Sequence, residues 1–118
     1  MLINEALRSH IQKLSQKCSK STIIVVEGKN DVKALKPILK GFDFFILHNK
    51  QRSLYETAEV LASSYRQAIL MFDADKKGME LKNTLKKYLQ MHGMKVQVEQ
   101  KLLKLTGKTA VEDIRVDF

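Results

Sequence analysis

Two short apolar runs, each ending in carboxylates, constrain this chain more than any other feature. Ile23-Ile24-Val25-Val26 runs directly into Glu27-Gly28-Lys29-Asn30-Asp31, and Ala68-Ile69-Leu70-Met71-Phe72 runs into Asp73-Ala74-Asp75. Short, β-branched apolar runs bounded by turn residues are the pattern of strands buried on both faces, as in parallel sheets. In an open parallel sheet, ligands sit in the crevice beyond the carboxyl ends of the strands, where the strand order reverses. Two such strands ending in acids therefore point to one shared acidic site, of the kind that holds a divalent cation.

The remaining periodicities fill in the elements. Leu2, Ile3, Ala6, Leu7, His10, Ile11 and Leu14 follow the 3.6-residue period, which predicts an amphipathic helix over residues 2–17 covering one sheet face. Asn30 is the expected N-cap of a second helix, with Asp31 in its first turn and Val32, Leu35 and Leu39 on its inner side. Pro37 shortens, kinks or breaks that helix near Lys36, and Gly41 ends it. A second strand is expected over Phe42 to Leu47, a helix over Ser53 to Ser64, and a third strand over Ala68 to Phe72. After Gly78 a long helix should reach Met91, with His92-Gly93 as its stop. Met94, Val96 and Val98 alternate with Lys95 and Gln97 as a more exposed fourth strand, and Thr109 to Arg115 reads as a last short helix.

Strand and helix alternate throughout, so the expected class is α/β: a four-stranded, mainly parallel sheet with helices on both faces and right-handed crossovers. A chain of 118 residues can bury one core, so a single domain over 1–118 is expected. If the first and third strands are neighbours, Glu27 comes within reach of Asp73 and Asp75.

Charge narrows the partners. The formal net charge is +8, the electrostatic footprint of a nucleic-acid binder. The excess is concentrated between Lys76 and Lys108, where nine lysines face only Glu80 and Glu99. Lys82, Lys86 and Lys87 fall opposite Leu81, Leu85, Tyr88 and Leu89 and read as a solvated helix face. Lys76 and Lys77 directly follow the aspartate pair, so they are candidates to contact a phosphate bound there, as are Lys29 and, after the second strand, Lys50 and Arg52 beside His48 and Asn49. There is no apolar stretch of membrane-spanning length, and Met1-Leu2-Ile3-Asn4-Glu5 lacks the plan of a secretory signal, so a cytoplasmic location and no membrane partner are expected. Cys18 is the only cysteine, which excludes an internal disulfide and gives no zinc spacing.

Glu27-Gly28-Lys29-Asn30-Asp31 after one strand and Asp73-Ala74-Asp75-Lys76-Lys77-Gly78 after a later one resemble the two signature motifs of the Toprim superfamily, shared by topoisomerases, bacterial primases, old-family nucleases, recombination-repair proteins and a ribosomal-RNA maturation nuclease. Val111-Glu112-Asp113-Ile114 also resembles the acidic helix start that closes many small Toprim domains. The resemblance implies the Rossmann-like Toprim fold. It implies that Glu27 acts as general acid or base, that Asp73 and Asp75, with Glu27, address Mg2+ (or Mn2+), and that Gly28, Asp31 and Gly78 support the site. The implied function is magnesium-dependent phosphoryl transfer on RNA or DNA by a small nuclease. The alternative is a non-catalytic nucleic-acid-binding subunit of a larger complex, with a protein partner supplying specificity.

Other candidates carry less. Tyr55, Tyr65 and Tyr88 fall at expected helix positions and are boundary residues rather than nucleophiles. With neither a separate tyrosine domain nor a zinc module, the chain does not have the plan of an autonomous topoisomerase or primase. His10 and His92 lack ligand-spaced partners and are packing and helix-end residues. Phe42, Phe44 and Phe45 are strand core. Thr106-Gly107-Lys108-Thr109 has Leu102 where a phosphate-binding loop needs its first glycine. A receiver-like phosphorylation site would want an acidic pair near the first strand instead of Glu-Gly-Lys. An exposed edge on the fourth strand permits dimerisation without specifying it.

Overall fold

The computed structural model describes residues 5–47 and 53–115. The order of elements is α1 (Glu5–Ser15), β1 (Thr22–Val26), α2 (Lys29–Leu35), β2 (Asp43–Ile46), α3 (Leu54–Ser64), β3 (Gln67–Leu70), α4 (Lys76–Met91), β4 (Lys95–Val98), α5 (Lys101–Thr106) and a 3-10 turn (Val111–Asp113). The four strands form one sheet in the order β2-β1-β3-β4. Every neighbouring pair is parallel, with Val26 opposite Ile46 and Val25 opposite Leu70.

The apolar run of β1 follows from its place at the centre. All five of its residues are buried. Successive side chains point to opposite faces. Ile24 and Val26 therefore join a core built with Leu7, Ile11, Leu35 and Leu102, under α1, α2 and α5. Ile23 and Val25 join a second core with Leu61, Leu70, Leu85 and Leu89, under α3 and α4. Helices thus cover both faces, and β1 and β3 are neighbours, as the switch-point argument expects.

Several boundaries differ from the sequence expectation, each for a local reason. The N-cap of α2 is Gly28 instead of Asn30, because Asp31 at the third helical position turns its carboxylate back to accept the Gly28 N–H at 3.0 Å. The expected break near Lys36 is present, since α2 ends at Leu35 with Lys36 as its C-cap, just ahead of Pro37. The proline's missing donor therefore costs no helical bond. β3 stops at Leu70, although Met71 and Phe72 stay buried and the Met71 N–H still reaches the Val25 carbonyl. α4 starts at Lys76, ahead of Gly78, because Asp75 caps it. Tyr65 is the residue after α3, not within it, and its hydroxyl donates to Asp43 Oδ2 at 3.2 Å.

The largest omission is α5, which turns the stretch after β4, unassigned from the sequence, back over the first core through Leu102 and Leu103. The expected helix over Thr109 to Arg115 is only a three-residue 3-10 turn, anchored by buried Val111 and Ile114. Phe42, Phe44 and Phe45 do pack as core. His10 is more than packing: its Nε2 lies 2.9 Å from Glu99 Oε2, and this buried glutamate also accepts the Leu102 N–H at 2.9 Å. Among the described residues, no helix is long and apolar enough to cross a membrane.

Candidate metal and phosphate site

Glu27 leaves the carboxyl end of β1 and Asp73 follows the adjacent β3, so the parallel register brings them to the same edge of the sheet. The main-chain N–H of Asp73 donates to Glu27 Oε2 at 3.0 Å, which fixes the glutamate across the point where the strand order reverses. Glu27, Gly28, Asp31 and Asp73 line one open cavity of about 600 Å3, with Lys29 and Ile46 at its rim. Glu112 lines it too, carried in from the far end of the chain by the 3-10 turn.

Both aspartates of the Asp-Ala-Asp segment are held by backbone. The N–H of Val111 donates to Asp73 Oδ1 at 2.8 Å, and that of Gly78 to Asp75 Oδ1 at 2.6 Å. The intervening Ala74 N–H reaches the Thr109 carbonyl at 2.8 Å, so the loop is clamped from two sides. Gly78 is required by this packing. A Cβ there would meet the Asp73 carbonyl oxygen at 2.4 Å and Asp75 Oδ1 at 3.0 Å.

Among the described residues, no lysine or arginine forms an ion pair with any of these carboxylates. Burial raises the proton affinity of Glu27; the Asp73 N–H opposes this, and repulsion from Asp73, Asp31 and Asp75 adds to it. Asp31 is also raised, first by burial, against the Gly28 N–H, with Asp73 and Glu112 contributing repulsion.

The structure brings Glu27, Gly28, Lys29, Asp31 and Asp73 into one cavity wall. Asp75 stands beside it, exposed, as the N-cap of α4, with Lys76 and Lys77 exposed in the first turn of that helix and Gly78 buried behind. Lys50 and Arg52 lie outside the described residues. Sequence reasoning assigned Glu112 no place here. Its acidic neighbour Asp113 and its apolar flanks were visible, but only the packing of α2 against the 3-10 turn shows which cavity it enters.

Among the described residues, no group of three or more His, Cys, Asp or Glu side chains is gathered closely enough to hold a metal ion as a set. The donor chemistry nevertheless fits a hard dication. Magnesium is commonly held by one or two carboxylates plus water and substrate phosphate, not by a cage of protein ligands. Asp73 and Asp75 each have one oxygen fixed by a main-chain N–H and the other without a partner among the described residues.

An all-parallel α/β sheet with a carboxylate cluster at the carboxyl ends of its two central strands defines the class. The Toprim domain profile matches residues 22–104, and the chain belongs to that family. It is 29% identical over 112 residues to a UPF0292 protein of Methanosarcina barkeri, covering 93% of this chain and 76% of that one. A UPF0292 protein of Pyrococcus abyssi is 34% identical over 92 residues, covering 77% of this chain and 67% of its own length. Ribonuclease M5 of Borreliella burgdorferi is 39% identical over 70 residues, 57% of this chain but 37% of the nuclease. A solved structure of an Aquifex aeolicus protein superposes with a TM-score of 0.69 at 26% identity, covering 93% of this chain and 96% of that one.

Proposed function

We propose that the protein is a magnesium-dependent nuclease or phosphotransferase acting on RNA or DNA, with Glu27 as general acid or base. The observation that carries this reading is the fixed Glu27. A carboxylate held by the Asp73 N–H, with its proton affinity raised by burial and by neighbouring acids, is suited to exchange a proton nearer neutrality than an ordinary glutamate. Asp73 and Asp75 would hold the cation, Mg2+ or Mn2+. When bound, it neutralises charge developing on the phosphoryl oxygens.

The protein's own groups divide the remaining work. The Asp73 N–H keeps Glu27 Oε2 occupied, leaving Oε1 for the proton at the attacking or leaving oxygen. The Asp31 carboxylate, turned onto the Gly28 N–H, holds the start of α2 in place beside it. Lys76 and Lys77, exposed in the first turn of α4, are placed to draw in the phosphate backbone, and the net charge of +8 supports a polyanionic substrate. The partial match to a ribonuclease supports the same substrate class.

The test is metal-dependent cleavage of structured RNA, single-stranded DNA and duplex DNA by the native protein, Glu27→Gln and Asp73→Asn. Cleavage that requires Mg2+ or Mn2+ and disappears in both variants is the expected result. Salt-dependent binding without cleavage by the native protein would replace this reading with that of a nucleic-acid-binding subunit working with a protein partner.

A further inference from the structure

A second cavity, of about 550 Å3, lies on the other side of Asn30 and Glu112, the two residues that line both it and the acidic site. Its character is different. Ala34 in the last turn of α2 and Pro37 just beyond it give it apolar surface, with Ile38 and Ile114 buried beneath, and Lys33 and Arg115 bring two cations to it beside the carboxylates of Glu112 and Asp113. Arg115 is held in place, since its Nη1 donates to the Glu112 and Ile114 carbonyls at 2.9 and 2.8 Å. The rest of that guanidinium has no partner among the described residues.

We propose that this cavity seats an unpaired nucleotide adjoining the phosphodiester addressed by the acids. The proposal rests on the phosphoryl-transfer reading of the neighbouring site. Size, chemistry and position agree. The volume lies within the range of about 300–1,000 Å3 typical of small-molecule pockets and far exceeds what a lone phosphate would fill. Unstacked bases are recognised by lying on apolar surface or on the plane of an arginine guanidinium, which Pro37, Ala34 and Arg115 provide. A nucleotide carries its own phosphate, which Lys33 and Arg115 can meet. The shared Asn30–Glu112 wall makes the two cavities neighbours, so a base on one side places the next phosphate of the strand toward Glu27 and Asp73. Paired bases cannot enter such a recess, so the strand bound here is single-stranded at this position.

Titration of the full-length protein with nucleoside 5′-monophosphates in Mg2+, followed by amide NMR shifts, tests this, with inorganic phosphate as the comparison ligand. The monophosphates should move Ala34, Ile38 and Ile114, and inorganic phosphate should not. Arg115→Ala, an exposed substitution, should weaken monophosphate binding about tenfold. Ala34→Trp, which puts an indole into the cavity, should weaken monophosphate binding strongly and raise KM for single-stranded substrates with little change in kcat. If Ala34→Trp does not fold, Arg115→Ala carries the test alone.

Glu27→Gln should retain monophosphate binding while losing cleavage, which separates the two readings. Shifts confined to residues 27–31 and 73, or an unchanged affinity in Arg115→Ala, would overturn the nucleotide seat even if cleavage is intact. Monophosphate binding at Ala34 and Ile38 by a protein that cleaves nothing would support the seat and remove the phosphoryl-transfer reading.

Discussion

Gly78→Ala should destabilise the protein although it places a better helix former inside α4. Relieving helical glycine with alanine contributes about 1 kcal/mol in an open helix. Here the new Cβ would stand 2.4 Å from the Asp73 carbonyl oxygen, about 1 Å short of the 3.4 Å at which ordinary contact begins. The obstacle is backbone, clamped by the Ala74–Thr109 and Val111–Asp73 bonds, and it cannot swing aside as a flexible side chain would. Overpacking of this kind costs about 1–3 kcal/mol. Disturbing the Asp75 cap on the Gly78 N–H adds about 1 kcal/mol. The net expectation is a loss of about 1–3 kcal/mol, a fall in Tm of roughly 5–10 °C for a domain of this size. Thermal unfolding by circular dichroism or calorimetry reads it directly. Gly28→Ala is the matched control: nothing lies within 4 Å of its Cβ position and its backbone is extended, with φ −144°, so only the poorer N-cap preference of alanine, about 0.5–1 kcal/mol, should lower its Tm. A Gly78→Ala protein as stable as the native one would refute the claim that close approach of α4 to the Asp73–Asp75 loop dictates that glycine.

Four further outcomes are expected. For the metal-free protein, the folded-state proton affinities of Glu27 and Asp31 are raised, so the folded state binds protons more tightly than the unfolded chain. These two groups should make the protein more stable as pH falls from neutrality toward their ordinary values of 4.5 and 3.8. Glu27→Gln should raise Tm at neutral pH in chelator and flatten that slope; an unchanged slope would contradict the assignment. His10→Ala should cost about 1–3 kcal/mol in urea unfolding, because Glu99 stays buried and keeps only the Leu102 N–H. Ile114→Ala should cost about 2–5 kcal/mol if the C-terminal turn is part of the core, and a near-neutral result would show that it is not. Asp73→Asn and Asp75→Asn should fold normally in chelator, since the Asn carbonyl can accept the same N–H and Asn is a good N-cap, yet show none of the rise in Tm that Mg2+ is expected to give the native protein.

The sheet was legible because its signal is carried by single residues at fixed period. The buried run of β1 and the acids that end it placed both the central strand and the wall of the site. The alternation of strand and helix then pointed to a parallel sheet, in which Glu27 and Asp73 meet only if the first and third strands are neighbours, as the structure has them. What escaped was long-range. Lys101-Leu102-Leu103-Lys104-Leu105 is made of helix formers, but so short a run does not show that it returns over the first core, and contact with α1 and the sheet decides that. The His10–Glu99 pair joins groups 89 residues apart, neither of which has a local reason to seek the other. Glu112 belongs to the same class, since a one-turn 3-10 segment has no periodicity from which its facing could be read. The misplaced cap of α2 was a local contest between Asn30 and Gly28. The Asp31 carboxylate decided it by reaching back to the Gly28 N–H.

The division of labour among the acids explains how several carboxylates are tolerated at one sheet edge. Glu27, Asp31, Asp73 and Asp75 each accept a main-chain N–H with one oxygen: from Asp73, Gly28, Val111 and Gly78 respectively. Each bond offsets part of the cost of crowding and burial, and each orients the carboxylate before any ligand arrives. Among the described residues the other oxygens of Asp73 and Asp75 have no partner, and the proton affinities of Glu27 and Asp31 are raised, first by burial and then by repulsion among the acids. A cation would relieve that repulsion in the folded state alone, so metal affinity and folding stability should be coupled through the same oxygens. The backbone bonds thus make the site rigid, and the unpaired oxygens leave it destabilised until a ligand binds. That combination is expected of a site for chemistry and not of a surface cluster that only keeps the protein soluble.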